Sequence, residues 1–238
     1  MKNKEYIFGL HACISALNNK NREIIHWECT QETYNKIKGK VNATNFQKNT
    51  IVERKKLDKK LKNKIHQGIL VISNELQYED FFSALNKYKS TVLILDSLKD
   101  SQNVGAIIRS AYLFGIYIIV YNDKNSFDIN STLIKSASGA YENVKLYKVV
   151  NINQTIKILK RKKYWIIGLD HKSNQNITDV QKNTKKAIVI GSESKGIRSL
   201  IKKNCDFLVK ISMKNFNQNI DSLNVSNAAS IIFYELNK

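Results

Sequence analysis

The 238-residue sequence contains no proline, three cysteines and nine glycines. Cys13, Cys29 and Cys205 are odd in number and lack CxxC spacing, which argues against disulfides or a zinc knuckle and favours a reducing compartment. No apolar run approaches the ~20 residues of a membrane span. The N-terminal stretch MKNKEYIFGLHA lacks the apolar segment of a signal peptide, so we expect a cytoplasmic protein with no membrane partner.

Acidic residues are scarce relative to basic ones: 20 Asp and Glu stand against 39 Lys and Arg, a formal net charge of +19. Such a balance is typical of proteins that bind a polyanion. The absence of proline and the abundance of Lys, Asn and Ile indicate a bias towards A/T-rich codons, which inflates lysine everywhere. The charge alone therefore does not establish a nucleic-acid partner. The few arginines, which this bias has left in place, are more informative: Arg22, Arg54, Arg109, Arg161 and Arg198.

The chain is long enough for one large domain or two smaller ones, and 42% of its residues are hydrophobic. Residues 1–75 alternate strand-like and helix-like segments, which predicts a compact α/β unit, and 76–90 read as a helical linker. From 91 to 238, strands alternate regularly with helices, which predicts a parallel sheet covered on both faces. Ligands of such sheets bind beyond the carboxyl ends of the strands, so the loops at those ends are candidates for chemistry.

The first of these loops, DSLKDSQNVGAIIRS at 96–110, follows an apolar strand. Asn103 is predicted to cap the helix that follows it. Helical spacing places Arg109 on a stripe with Gln102, away from the apolar stripe of the same helix. Arg109 is therefore predicted to reach the crevice at the strand ends. Taken alone, the loop is explained better by a solvated surface arginine.

The second loop, IGSESKGIRS at 190–199, resembles half of a phosphate-binding loop. Ile197 follows Gly196 where that motif requires lysine and a hydroxyl, which argues against an NTPase. Gly191 and Gly196 flank Glu193, which favours a tight turn around a small ligand with donor groups, or around a cation. A plain strand–helix turn with a solvated glutamate explains the loop about as well.

The third loop lies within ISMKNFNQNIDSLNVSNAAS at 211–230. It leads from an apolar strand into the last predicted helix, for which Ser222 is the predicted N-cap. Asn224 lies in the predicted first turn, where helix formation does not require it. This residue is therefore a candidate for function.

Taken together and in order, DSQNVGAIIRSA, IVIGSESKGI and ISMKNFNQNIDSLNVSNAASIIFYE are similar to the three signatures of the SpoU (TrmH-type) family of RNA ribose 2′-O-methyltransferases. The resemblance covers 91–238 and implies an α/β domain of the SPOUT type, in which a trefoil knot forms the S-adenosylmethionine pocket, and a homodimer. The N-terminal unit, with YIFGLHAC and IHQGILV, resembles a ribosomal-protein-L30-like RNA substrate-binding domain. That pairing points to the branch that methylates a guanosine of large-subunit ribosomal RNA.

The resemblance also implies roles for individual residues and involves no metal. The residues implied to line the S-adenosylmethionine pocket are Gly191, Ile211 and Leu223. The residues implied to surround the acceptor nucleotide as catalytic residues are Asn103, Arg109, Glu193, Ser222 and Asn224. Ser101 and Ser212 stand where the family has proline, a difference that we attribute to composition drift.

Family accounts propose an arginine at the position of Arg109 as the general base. A guanidinium has a pKa above ~12 and is a poor base. We therefore expect Arg109 to bind the phosphate beside the target ribose, and Glu193 or water to take the proton. Two alternatives remain open: a transfer-RNA 2′-O-methyltransferase of the same fold, and a basic ribosomal-RNA-binding protein without catalysis.

Overall fold

The structure is a computed structural model that describes residues 4–62, 64–180, 185–214 and 222–237, without the side chain of residue 43. Its elements in chain order are β1 (Lys4–Phe8), α1 (Leu10–Asn18), β2 (Ile24–Cys29), α2 (Gln31–Ile37), α3 (Ala43–Phe46), β3 (Asn49–Ile51), α4 (Arg54–Lys60), β4 (Ile69–Asn74), α5 (Phe81–Tyr88), β5 (Val92–Asp96), α6 (Ser101–Leu113), β6 (Ile118–Asn122), α7 (Ser131–Ser136), β7 (Lys145–Val149), α8 (Ile152–Arg161), β8 (Trp165–Leu169), β9 (Gln175–Asn176), β10 (Lys186–Gly191), α9 (Ser199–Lys202), β11 (Phe207–Lys210) and α10 (Val225–Asn237). Short 3-10 helices span Ala140–Glu142 and Ile177–Asp179.

The chain forms two compact units, Met1–Tyr78 with Ile129–Asn143, and Glu79–Asp128 with Val144–Lys238. The boundaries predicted from the sequence run continuously along the chain, with residues 91–238 in a single domain. The structure divides the chain differently, because the segment Ile129–Asn143 packs with the first unit.

The first unit is built on a sheet in the order β1-β4-β2-β3. β4 pairs antiparallel with β1 and β2, and β3 pairs parallel with β2 at the edge. Its core includes Ile7, Trp27 and Val71, each completely buried. These residues belong to three neighbouring strands, which explains why the apolar runs in the sequence fold into one sheet.

A buried ionic network ties the segment Ile129–Asn143 to the rest of the first unit. The Arg22 guanidinium, whose side chain is inaccessible to solvent, donates to both carboxylate oxygens of Glu142 at 2.6 and 3.0 Å. It also donates to Glu5, which accepts a further hydrogen bond from the Tyr141 hydroxyl at 2.7 Å. Asn19 donates to Glu142 at 2.7 Å. One cation therefore compensates two buried carboxylates.

The second unit contains a parallel sheet in the order β7-β6-β5-β10-β8-β11-β9. This confirms the parallel α/β sheet predicted from the sequence. The central strands β5 and β10 are buried along their whole length, as continuous apolar runs in parallel sheets are. On α8, Ile152, Ile156 and Leu159 repeat at helical spacing and pack into the core with residues of β5, β6 and β10.

The predicted helical linker is shorter than the sequence pattern indicated. Of residues 76–90, α5 is helical only over Phe81–Tyr88. The Asp80 carboxylate accepts hydrogen bonds from the Phe82 and Ser83 amides at 3.0 and 3.1 Å, so the helix starts there. In the described ranges no helix is long and apolar enough to cross a membrane.

All three cysteines are free. Burial raises the pKa of the Cys29 thiol to about 11 and that of the Cys205 thiol to about 12. Both thiols therefore stay protonated at neutral pH and behave as small apolar groups.

Replacing Arg22 by methionine should destabilise the first unit strongly. The change leaves Glu5 and Glu142 buried without a cation, which typically costs about 3–5 kcal/mol. Urea unfolding should show this loss, whereas Arg54→Met, at an exposed arginine of the same unit, should change stability by less than about 1 kcal/mol. Adding Glu5→Gln and Glu142→Gln to Arg22→Met should restore part of the stability. Equal stability of Arg22→Met and Arg54→Met would contradict the network.

Candidate active site

A cavity of about 560 Å³ opens in the second unit. Most of its lining residues lie at the end of β8 and just after it (169–172), at the end of β10 and in the following turn (190–196), and at the entry into α10 (222–225). The strands β8 and β10 are parallel neighbours, so the cavity lies at the carboxyl ends of the strands, as predicted. Its volume is in the range of sites that hold cofactor-sized ligands.

The structure brings most of the predicted site residues to this cavity. The predicted residues that line it are Gly191, Glu193, Ile211, Ser222, Leu223 and Asn224. Asn103 is hydrogen-bonded to two of them, and Arg109 does not line the cavity. Residues 215–221, which belong to the third loop, lie outside the described residues.

The turn after β10 depends on a close backbone approach at Gly191. A Cβ atom added there would lie 2.1 Å from the carbonyl carbon of Gly196 and 2.2 Å from the amide nitrogen of Ile197. Ser192 and Gly196 exchange two backbone hydrogen bonds of 3.2 and 2.8 Å, so the chain doubles back between them. The turn is therefore compact, and Glu193 lies at its exposed tip.

Three predicted residues from three elements form one hydrogen-bonded chain. The Asn224 Nδ2 donates to Asn103 Oδ1 at 3.1 Å, and the Asn103 Nδ2 donates to Glu193 Oε1 at 3.1 Å. Asn103 is in the first turn of α6, Glu193 follows β10, and Asn224 precedes α10. The two amides thus connect the start of both helices to the carboxylate.

The helix caps differ from the prediction, and this difference explains the hydrogen bonds that join Asn224, Asn103 and Glu193. Asp100, not Asn103, caps α6 by accepting a hydrogen bond from the Asn103 amide at 2.6 Å. Asn224, not Ser222, caps α10 by accepting from the Ser226 amide at 2.8 Å. Because Asp100 supplies the cap, the Asn103 side chain is available for the site. Because the Asn224 Oδ1 is used by the cap, its Nδ2 is directed to Asn103.

Arg109 lies six residues after Asn103 on α6, about 9 Å along the helix axis. Its side chain is exposed, and the apolar stripe of Val104, Ile107 and Ile108 is completely buried, as predicted. Among the described residues no carboxylate pairs with the Arg109 guanidinium. Its charge is therefore available to an anion from outside the chain.

Sequence reasoning missed an ion pair that shapes the site. Asp96, completely buried at the end of β5, accepts hydrogen bonds from the Arg198 backbone amide at 2.9 Å and from its Nε at 2.7 Å. Asp96 is also opposite Gly191 in the β5–β10 register. An acidic residue that ends an apolar strand and an arginine retained in a lysine-rich chain were the available signals.

A second missed pair, Asp170 with Lys202, lines the cavity. The Lys202 Nζ is 2.6 Å from the Asp170 carboxylate, and both residues line the cavity beside His171. Burial by itself raises the pKa of Asp170, but the hydrogen bonds from Lys202 and from the Lys172 amide outweigh it and hold that pKa below its ordinary value. The carboxylate is thus charged at neutral pH. The described residues include no cluster of three His, Cys, Asp or Glu side chains that could hold a metal ion.

Two family profiles match this chain. The profile of the SpoU rRNA methylase family matches residues 90–234, and that of the RNA 2′-O ribose methyltransferase substrate-binding domain matches residues 6–79. An uncharacterized tRNA/rRNA methyltransferase of Borreliella burgdorferi is 38% identical over 199 residues, which cover 79% of this chain and 86% of that protein.

Solved structures share the fold. The AdoMet-bound rRNA methyltransferase from Sinorhizobium meliloti has a TM-score of 0.80 at 18% identity and covers 98% of this chain and 86% of its own. The TrmH/SpoU tRNA modifying enzyme of A. aeolicus has a TM-score of 0.54 at 26% identity, covering 63% of this chain and 74% of its own. The predicted SPOUT fold on a parallel α/β sheet is therefore confirmed.

The predicted trefoil knot involves the segment after β11. Residues 215–221 of this segment lie outside the described residues. The profile match over more than half of the chain and the relative at 38% identity agree with the three motifs and their geometry. The chain belongs to the SpoU family of RNA methyltransferases.

Proposed function

We propose that this protein transfers a methyl group from S-adenosylmethionine to the ribose 2′-hydroxyl of a guanosine in large-subunit ribosomal RNA. The observation that carries the proposal is the series of hydrogen bonds from Asn224 through Asn103 to Glu193 beside the cavity. It fixes the Glu193 carboxylate through a hydrogen bond from Asn103, which is itself held by a hydrogen bond from Asn224. A binding protein for a polyanion has no use for a carboxylate held in this way.

The residues of the cavity fit S-adenosylmethionine. Gly191 lines the cavity at the tight turn, and Ile211 and Leu223 line it with apolar side chains, so these three residues would hold the cofactor. The chemistry that S-adenosylmethionine supplies when bound is a methyl group activated by a sulfonium. The Sinorhizobium meliloti neighbour, which shares the fold, is described as AdoMet-bound.

The chain's own residues would orient the acceptor and move its proton. Glu193, at the exposed tip of its turn, is the proposed acceptor of the 2′-hydroxyl proton, directly or through water. Asn103 donates to one oxygen of this carboxylate and leaves the other for the substrate. Ser222 and Asn224, which also line the cavity, would contact the nucleotide.

Arg109 is proposed to bind the phosphate next to the target ribose and to stabilise the developing alkoxide. A guanidinium with a pKa above ~12 does not accept a proton at neutral pH, which argues against a role as base. Its exposure and the absence of a carboxylate partner among the described residues support a role in binding an external anion.

The choice of ribosomal RNA rests on the first unit and on how much of the chain each structural neighbour covers. The substrate-binding profile matches residues 6–79, and the rRNA methyltransferase neighbour covers 98% of this chain, whereas the tRNA enzyme covers 63%. The guanosine, the homodimer and the cytoplasmic location are proposed on the motif resemblance. Transfer RNA is the alternative substrate, because the Borreliella burgdorferi relative is described as a tRNA/rRNA methyltransferase.

The wild-type protein should transfer label from S-adenosylmethionine to unmodified large-subunit ribosomal RNA. Nucleoside digestion should place the label in 2′-O-methylguanosine. Asn103→Ala and Glu193→Ala should each lower kcat at least ~100-fold, because they disturb proton transfer. Asn227→Ala, at an exposed amide on α10, should retain activity.

Label in another nucleoside, or only in transfer RNA, would refute the proposed guanosine substrate but support the proposed methyl transfer. The absence of transfer to either RNA, together with intact RNA binding and no rise of Tm in saturating S-adenosylmethionine, would indicate a non-catalytic binding protein.

Arg109→Lys should lower kcat/KM for RNA at least ~10-fold, because an ammonium cannot replace a two-pronged guanidinium on phosphate. Arg161→Lys, an exposed change on α8, is the matched control. Steady-state methyl transfer at varied RNA concentration measures the effect. Near-wild-type kinetics for Arg109→Lys would refute the bidentate phosphate contact.

Gly191→Ala should abolish or greatly weaken S-adenosylmethionine binding, because its Cβ would overlap backbone atoms that cannot move aside without opening the turn. Overpacking of this kind typically costs about 1–3 kcal/mol. Calorimetric titration with S-adenosylmethionine and thermal unfolding measure the two effects. Gly39→Ala has no atom within 4 Å of the added Cβ but a φ of +83°, so it should lower Tm through backbone strain and still bind S-adenosylmethionine normally. Wild-type affinity in Gly191→Ala would refute the role of the turn.

A further inference from the structure

The first unit has a strongly basic segment that the catalytic proposal does not use. Residues 54–64 contain one acidic residue, Asp58, and seven basic ones: Arg54, Lys55, Lys56, Lys59, Lys60, Lys62 and Lys64. The whole chain has 39 basic residues among 238. A codon bias that spreads lysine evenly does not explain seven in eleven positions, so this segment requires its own explanation.

The fold of this segment presents the lysines to solvent. Leu57 is completely buried and Leu61 is 8% exposed, and both pack with Phe8 and Leu70. These two apolar contacts anchor one side of α4 and the turn after it. The seven basic residues of the segment are all exposed.

Internal ion pairs neutralise only part of this charge. Lys60 contacts both oxygens of Glu28 at 2.6 and 2.7 Å, and Lys56 lies 4.0 Å from the same carboxylate. Asp58 accepts a hydrogen bond of 2.8 Å from Nε2 of the buried His66, whose Nδ1 accepts from the Gly68 amide. The one acidic residue of the segment is therefore engaged with a histidine.

Four lysines of the segment have no carboxylate partner among the described residues: Lys55, Lys59, Lys62 and Lys64, of which Lys64 lies over the Phe8 ring. Lys55 and Lys59 share one face of α4 at spacing i, i+4, and Lys62 lies in the turn that follows the helix, at a positive φ. We call Lys55, Lys59 and Lys62 the α4 face. Like charges at spacing i, i+4 repel each other, so this cluster is mildly unfavourable for the folded protein unless an anion neutralises it.

We propose that the α4 face binds consecutive backbone phosphates of the RNA substrate. Lysines bind phosphate as point charges and do not read bases, so this surface would supply affinity while the cavity in the second unit supplies the chemistry. An anionic membrane is a poorer match, because the only apolar residue of α4, Leu57, is buried and no apolar face remains to insert. This inference rests on the proposed function and names the surface that holds its substrate.

The test compares two triple variants of the full-length protein that remove the same charge from the same unit. One carries Lys55→Gln, Lys59→Gln and Lys62→Gln; the control carries Lys20→Gln, Lys38→Gln and Lys40→Gln, at exposed lysines elsewhere in the unit. Kd for an unmodified large-subunit ribosomal RNA fragment is measured from low to high salt. Methyl-transfer kinetics are measured with RNA and S-adenosylmethionine varied in turn.

Loss of three phosphate contacts should reduce the slope of log K against log salt by ~2, since each contact contributes ~0.7–0.9. The α4-face variant should accordingly raise Kd and KM for RNA at least tenfold, with kcat at saturating RNA and KM for S-adenosylmethionine unchanged. The slope of the control variant should differ from the wild-type slope by less than ~0.9, the contribution of one phosphate contact.

A wild-type slope and KM for RNA in the α4-face variant would overturn the inference while leaving the methyltransferase intact. An equal loss in both variants would overturn it too, because binding would then follow diffuse charge. Since the binding measurement needs no turnover, it decides on the α4 face even where the wild type transfers no methyl group, a result that would refute the proposed function separately. Wild-type binding to phosphatidylserine vesicles without binding to RNA would assign the surface to a membrane instead.

Discussion

The geometry of the candidate site depends on one buried carboxylate. Asp96 ends β5 with no solvent exposure and is opposite Gly191 in the register with β10. A buried charge of this kind is costly unless it is compensated, and Arg198 compensates it with its backbone amide and its Nε. Because Arg198 follows the 191–197 turn, satisfying Asp96 pulls the end of this turn back onto β5. The compact turn that carries Glu193 is a consequence.

Hydrogen-bond directions then propagate from the helix caps to Glu193. Each asparagine amide has one acceptor and one donor end, and a cap that uses the acceptor leaves the donor. The Asn224 Oδ1 accepts from the first turn of α10, so its Nδ2 is free to donate to Asn103 Oδ1. The Asn103 Nδ2 then donates to Glu193. Aspartate in place of Asn224 would preserve the cap of α10 but remove the donor to Asn103, and aspartate in place of Asn103 would remove the donor to Glu193. Both positions therefore require an asparagine, which has a donor and an acceptor on the same side chain.

The central strands of the parallel sheet were predictable because apolar runs such as VLILD and AIVIG have one stable environment, the interior of such a sheet. The predicted caps were wrong at Asn103 and Ser222, because several neighbouring side chains can cap a helix and only tertiary contacts select one. The motif residues were found by resemblance, but the Asn103–Glu193 bond joins residues 90 positions apart through the β5–β10 register. Packing of Ile129–Asn143 with the first unit depends on Arg22 and Glu142, 120 positions apart, and no local pattern encodes it.

Arg22, Arg198 and Arg109 differ in the anionic groups that their guanidinium groups contact. Arg22 contacts two buried carboxylates, and Arg198 contacts one, in each case through a directed guanidinium that lysine cannot reproduce. Both positions therefore keep arginine for reasons internal to the fold. Arg109 has no such partner among the described residues and still resists the replacement by lysine that the composition favours. A forked anion such as a phosphate, brought by the substrate, gives this position the same physical reason for arginine that Glu142 and Asp96 give the other two.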